Sequence, residues 1–335
     1  MSISVFPFKS IIEVTKFFST QEKCLNHLEL IRWNGNTPVS PFDPTSKVYK
    51  VGEFRYKCRS SNKYFNVLTG SMFENTKIPL QTWFLAIYLI TTNKRGISSY
   101  QLADHLSITQ KTAWFLLGRI RNCMKNNSNF FDTMSGTVEL DETFYGGKNK
   151  NRHWDKKVEH SQGRSFKDKT PVLGAYQEEK AEVITRPDKR NIDRVVKEKV
   201  VSQPAVVYTE VVPDTSGKTL KPIIMGKIEK GSKIITDEWT AYQGLNSTYD
   251  HRIVDHRANN YVTITGDTTN RIEGYWTIFK KTLHNYYRVT QKHLQMYCNE
   301  ISYRFNTRHM QTREKFDLLL QGSNNRLRYV DLIKK

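Results

Sequence analysis

The chain's 335 residues include 52 Lys and Arg against 33 Asp and Glu, a formal net charge of +19. With 38% hydrophobic and 12% aromatic residues it can bury the cores of two or three domains, which excludes a disordered basic tail. The charge points to a polyanion partner, with nucleic acid ahead of acidic lipid. No signal peptide is evident, the longest apolar run (Trp83–Ile90) is too short to span a bilayer, and Cys24, Cys58, Cys123 and Cys298 are too scattered for a disulfide framework. The expectation is a soluble, basic, cytoplasmic protein with no membrane partner.

Residues 1–75 are predicted as a small first unit. Ser10–Phe18 and Glu22–Ile31 have helical spacing, and Ser19 with Glu22 makes a capping box for the second helix. A turn-rich stretch, Trp33–Ser46, precedes three short alternating segments, Lys47–Tyr49, Phe54–Cys58 and Tyr64–Val67, read as the strands of a hairpin-like sheet. A zinc ribbon needs two Cys-x2-Cys knuckles. Here Cys58 has Ser61 where its partner belongs, Cys24 has only His27 nearby, and no fourth ligand is evident, so no zinc is expected.

Residues 76–130 are predicted as a second domain, helical over 76–126 as Leu80–Thr91, Ser98–Leu106 and Thr109–Cys123, with Asn126–Ser135 a polar linker. Ile97–Leu117 has helix-turn-helix rhythm, with Thr109, Gln110, Lys111 and Thr112 at the start of the second helix, where they could reach a DNA major groove. A plain helical hairpin is the competing reading.

Residues 136–309 alternate strands with helices. Gly136–Leu140 is a strand delivering Asp141 and Glu142, and Gly146–Lys169 a basic, glycine-rich insert containing Lys148. Pro171–Glu178 and Ala181–Thr185 are read as a hairpin, Ile192–Val201 as a helix or irregular connection, and Ala205–Val212 as a strand. Ser216 can cap a helix at Lys218–Ile228. Lys233–Thr236 is a buried strand ending at Asp237, followed by a short helix Glu238–Gly244 and a strand Arg252–Asp255. In Thr269–Leu283, Ile272, Tyr275, Trp276, Phe279 and Leu283 form one apolar stripe, while Glu273, Thr277, Lys280 and His284 line a polar face. Asn270 as N-cap and Glu273 as its capping-box partner would be the bland account of that helix start. A further helix carries Leu294, Tyr297, Cys298, Ile301 and Phe305 on one side and Arg304 and Arg308 on the other, with Thr290 as cap. Residues 310–335 read as a basic, helical tail.

That order of strands and helices is how an α/β RNase H-like core is assembled, a mixed sheet flanked by helices. The first strand would present Asp141, the strand at 233–236 Asp237, and the long helix Glu273. Three carboxylates on neighbouring elements suit two hard divalent cations, Mg²⁺ or Mn²⁺. Two such ions can activate a nucleophile and stabilise a leaving 3′ oxygen. Singly, each acid is explained as a turn residue or helix cap; jointly, in so basic a chain, they are explained poorly. His153, His160 and His256 read as loop or surface histidines.

With these residues in view, the chain resembles the bacterial insertion-sequence DDE transposases that carry an N-terminal zinc ribbon, the ISXO-like group. The resemblance is carried by Phe73–Trp83, Gly96–Arg121, the Asp-Glu-Thr-Phe-Tyr-Gly-Gly-Lys block within Val138–Lys148, Thr236–Tyr242, the Asn-Arg-Ile-Glu-Gly-Tyr-Trp block within Thr269–Lys281, and Arg304–Arg308. It implies metal-dependent cleavage at the element's terminal inverted repeats and transfer of the freed 3′ ends into target DNA by a dimeric or larger assembly. It places the family's acids on Asp141, Asp237 and Glu273 and its basic residue on Lys280, with Asn270 a weaker substitute for the third acid. The zinc-ribbon cysteines are mostly gone, so a degenerate, metal-free ribbon is expected before the helix-turn-helix. A nuclease without strand transfer and a non-catalytic DNA-binding derivative are the alternatives.

Overall fold

The computed structural model describes residues 8–33, 35, 37–128, 133–146, 153–159, 169–188, 195–254, 266–287 and 289–334. It divides into two compact units, Phe131–His284 with Arg288–His309 forming one, and the remainder forming the other.

The first unit begins with helices α1 (Ile11–Phe17) and α2 (Gln21–Arg32). The start of α2 differs from the expected Ser19/Glu22 box. Thr20 is the cap, its hydroxyl accepting from Lys23 N at 3.2 Å, while Ser19 Oγ accepts from the Lys23 ammonium at 2.9 Å. Strands β1 (Val48–Gly52), β2 (Arg55–Cys58) and β3 (Tyr64–Phe65) form an antiparallel sheet in that order. Then come α3 (Leu80–Thr92), α4 (Ser99–Leu106) and α5 (Gln110–Ser128). Ser98 and Gln101 cap α4 reciprocally, and Ser107, at φ 51°, turns the chain into α5. The apolar run that reads too short for a membrane is core: Trp83, Phe84, Ala86 and Ile87 of α3 are buried. No helix among the described residues is long and apolar enough to cross a membrane.

The second unit is built on a five-stranded mixed sheet. Its strands are β4 (Thr137–Tyr145), β5 (Thr170–Gln177), β8 (Val206–Val211), β9 (Lys233–Thr236) and β10 (Asp250–Ile253), in the order β10-β9-β4-β5-β8. β4 is antiparallel to β5 and parallel to β9. Because side chains alternate along a strand, Val138 and Leu140 of β4, with Leu173 and Ala175 of β5, face the buried Leu220, Ile224 and Ile228 at α6 (Gly217–Lys227). The other phase of the same strands faces α7 (Asn270–His284) and α8 (Gln291–Asn306). The predicted α7 stripe is buried throughout, each of Ile272, Tyr275, Trp276, Phe279 and Leu283 being at most 3% exposed. Burial of large apolar side chains like these contributes roughly 1.5–3 kcal/mol apiece. The helix α8 is tied to β8 by Asn306, which accepts from Val207 N at 2.8 Å and donates to Val207 O at 2.9 Å. The result is helix, sheet, helix in three layers.

Four expectations are corrected here. Residues 195–203 form a strand, β7 (Val195–Gln203), paired antiparallel with β6 (Lys180–Pro187), in place of the predicted helix or irregular connection. The predicted hairpin of 171–178 with 181–185 does not form, since β5 pairs with β4 and β8. The segment after Asp237 is a single 3₁₀ turn, Thr240–Tyr242. Residues 310–335, expected as a tail, fold into the first unit as α9 (Thr312–Gln321) and α10 (Tyr329–Ile333). Phe316, at 0% exposure, packs with Phe84 at 5.3 Å between ring centroids.

Candidate active site

Asp141 lies in the middle of β4, opposite Gly174 of β5, where a strand end was expected. Its odd-numbered phase, shared with Glu139, faces α7. The Trp276 indole N–H donates to Asp141 Oδ2 at 3.0 Å, fixing the carboxylate from the helix side. That contact requires Gly174, because a Cβ there would come within 2.4 Å of Trp276 Cζ2. Asp237 follows β9, the parallel neighbour of β4, and its Oδ1 accepts from Trp239 N at 3.0 Å, opening the 3₁₀ turn. Glu273 sits in the first turn of α7, on its exposed face, and accepts from Thr269 Oγ1 at 3.3 Å.

The three acids are electrostatic neighbours. Burial pushes the Asp141 carboxyl up to about 6, and the charges of Asp237 and Glu273 push in the same direction against the hydrogen bonds from Glu142 N and Trp276. They do not converge as a closed ligand set. No group of three or more His, Cys, Asp or Glu side chains among the described residues is gathered tightly enough to hold an ion. The donor chemistry still fits hard divalent cations, since all three are carboxylates and the repulsion felt by Asp141 is what a cation would relieve.

A fourth acid was missed in the sequence. Glu139, fully buried, caps α7: its Oε2 accepts from Arg271 N at 3.0 Å and Ile272 N at 2.9 Å. Arg271 also reaches Glu139 Oε1 at 3.4 Å and pairs with Glu178. Burial raises the Glu139 carboxyl to about 7, with the Ile272 amide and Arg271 opposing. The expected capping pair is thereby replaced. Asn270 is the first helical residue, its N–H donating to Thr268 Oγ1 at 3.1 Å, and Glu273 bonds the Thr269 side chain. The only sequence signal for Glu139 is its i, i+2 spacing to Asp141. On the opposite face of β4, Glu142 accepts from the buried Tyr242 hydroxyl.

The remaining candidates scatter. Lys280 is exposed on the Glu273 face of α7, two turns along. Arg304 is 10% exposed and paired with fully buried Glu300, so it braces α8 from within and offers little to a DNA backbone. Lys148, with most of its basic insert, lies outside the described residues, as do His160 and His256; His153 is exposed. In the first unit Thr109 and Thr112 share a 2.8 Å hydroxyl contact at the start of α5, Gln110 donates to Ser99 Oγ at 2.9 Å, and Lys111 stands over the Tyr329 ring at 5.3 Å. Three of the four predicted groove-reading side chains thus hold local contacts and a fourth covers α10.

The chain is 25% identical over 296 residues to an uncharacterized protein in the transposable element ISH50 of Halobacterium salinarum, covering 86% of this chain and 92% of that protein. It is 33% identical over 104 residues to an uncharacterized transposase-like protein of Haemophilus influenzae, covering 30% of this chain and 80% of that one. Residues 133–306, just over half the chain and including Glu139, Asp141, Asp237 and Glu273, match the ISXO2-like transposase domain, and the chain belongs to that transposase family.

Proposed function

We propose that the chain is the DNA transposase of an insertion sequence, in which Asp141, Asp237 and Glu273 hold two Mg²⁺ or Mn²⁺ ions. One observation carries the reading. Three elements distant in sequence adjoin in one unit: β4 with Asp141, its parallel neighbour β9 ending at Asp237, and α7, which carries Glu273 in its first turn and bonds Asp141 through Trp276. When bound, such ions neutralise charge at the scissile phosphate and lower the pKa of an attacking water.

The protein's own part is orientation. Trp276 and Trp239 N fix the carboxylates of Asp141 and Asp237, and Glu139 anchors the helix that presents Glu273. Water attacks the phosphodiester at the element end and frees a 3′ hydroxyl. That hydroxyl then attacks a target phosphodiester, forming one P–O bond as another breaks. Lys280 supplies a point charge for a phosphate beside the site, and Lys148 a second in the basic insert. Residues 97–123, led by Thr109–Thr112, bind the terminal inverted repeats, and holding two ends together calls for a homodimer or larger assembly.

The test is cleavage of end-bearing DNA in Mg²⁺. Wild type is expected to give a product that chelation abolishes. Asp237→Asn and Glu273→Gln should retain DNA binding yet lose cleavage by roughly 100-fold or more. Equal cleavage by all three proteins would remove these acids from the reaction.

A further inference from the structure

The small sheet of the first unit contains a cluster that the transposase reading does not use. Two tight turns face each other there, Ser40-Pro-Phe-Asp43 before β1 and Cys58-Arg-Ser-Ser61 after β2. Ser40, 1% exposed, accepts from Phe42 N at 3.2 Å and Asp43 N at 3.4 Å. Asp43 is saturated: Oδ1 takes Thr45 N at 3.0 Å and Thr45 Oγ1 at 2.7 Å, and Oδ2 takes Ser60 Oγ at 2.6 Å. Ser60 Oγ lies 3.4 Å from the Cys58 sulfur, and Ser60 N donates to Ser46 Oγ at 3.0 Å. The Cys58 thiol is wholly buried, with its pKa held down at about 5 by the hydroxyls of Ser40, Ser46, Ser60 and Ser61. The Ser61 hydroxyl is buried beside that thiol.

Two turns whose key residues are spaced x2, meeting at one point beside a three-stranded sheet, are the geometry by which four ligands enclose a zinc ion. The residues present do not fit that ion. Hydroxyls are not among zinc's usual ligands, Asp43 has both oxygens engaged, and only one thiol remains. Cys24 and His27 cannot complete the set. Cys24 is buried, and His27 bonds Asp317 at 2.7 Å among the rings of Phe17, Phe18, Phe84 and Phe316.

We infer that positions 40, 43, 58 and 61 are the four corners of a zinc-ribbon knuckle pair that this chain closes without metal, a network of serine hydroxyls around Cys58 and Asp43 doing the cross-linking an ion would do. The inference does not depend on the proposed reaction, and its test is read without it.

The full-length chain, wild type and Ser40→Cys/Asp43→Cys/Ser61→Cys, is assayed for zinc content, Co²⁺ absorption and thermal unfolding with and without chelator. Wild type should hold below about 0.1 zinc per chain, show no thiolate-to-cobalt band, and melt at the same temperature with chelator. The triple variant should take up about one ion, show the intense visible bands of tetrahedral cobalt thiolate, and melt higher with zinc than without. Stoichiometric zinc in wild type overturns the metal-free closure. A triple variant that binds no Co²⁺, or does not fold with zinc present, overturns the convergence of the four positions. Ser40→Cys/Ser61→Cys, which keeps Asp43 as an oxygen donor, repeats that reading in a milder change: it should bind Co²⁺ more tightly than wild type, and no gain also counts against convergence.

Discussion

Glu139 shows how a side chain that touches no substrate can govern a site. Its carboxylate satisfies two of the amides that the first turn of α7 leaves without helical partners, and Glu273 projects from that same turn. Glu139→Gln keeps the size but puts an amide where one oxygen served both N–H groups, so the helix start should loosen while the fold stands. The expected result is a 10–100-fold fall in cleavage with unchanged end-DNA affinity and a raised Mg²⁺ requirement. A merely structural role would lower the melting temperature and leave the Mg²⁺ requirement where it was. This residue was illegible in the sequence for a physical reason. Val138-Glu-Leu-Asp141 gives the acid the polar phase of a half-exposed strand, and its partners are amides some 130 positions away. The local pair Asn270 and Glu273 satisfies the capping rule equally well on paper, whereas Asp237 and Glu273 stand out as candidates because one follows a patterned strand and the other opens a patterned helix, and Asp141, expected at a strand end, lies mid-strand.

At the scale of elements, the seating of α7 against β4 and β5 depends on a missing side chain. A Cβ at Gly174 would meet Trp276 Cζ2 at 2.4 Å and Cη2 at 2.6 Å, inside any real contact distance. Gly174→Ala should therefore destabilise the second unit by roughly 1–3 kcal/mol, read as a lower denaturation midpoint. Adding Trp276→Phe removes the two offending ring atoms and should restore part of that stability but not the activity, because the N–H bond to Asp141 goes with the indole. Full recovery of both would show that the indole does not hold Asp141. The stripe that α7 buries was plain from its spacing. The strand β7 was not, because most of its residues are exposed and a strand with both faces in solvent carries no alternation to read. The helix α9 was read as tail because its partners, Phe18 and Phe84, lie some 230–300 positions earlier.

For the whole molecule, a charge of +19 predicts that affinity for DNA falls steeply with salt, log K declining linearly with log [salt] with a slope set by the number of phosphates neutralised. Replacing Lys111 by Ala should reduce that slope by about one if it contacts a phosphate and leave it unchanged if its place over Tyr329 is permanent. The family assignment and the mixed sheet make the chain a transposase of its kind. One assay decides whether strand transfer runs through Asp141, Asp237 and Glu273. End-bearing DNA with exposed 3′ hydroxyls is incubated with a supercoiled plasmid in Mg²⁺, using wild type and Asp141→Asn. Joined product from wild type alone, with equal end binding by both, is the predicted result. Joining by Asp141→Asn at the wild-type rate, or end binding by wild type with no joined product, would contradict it.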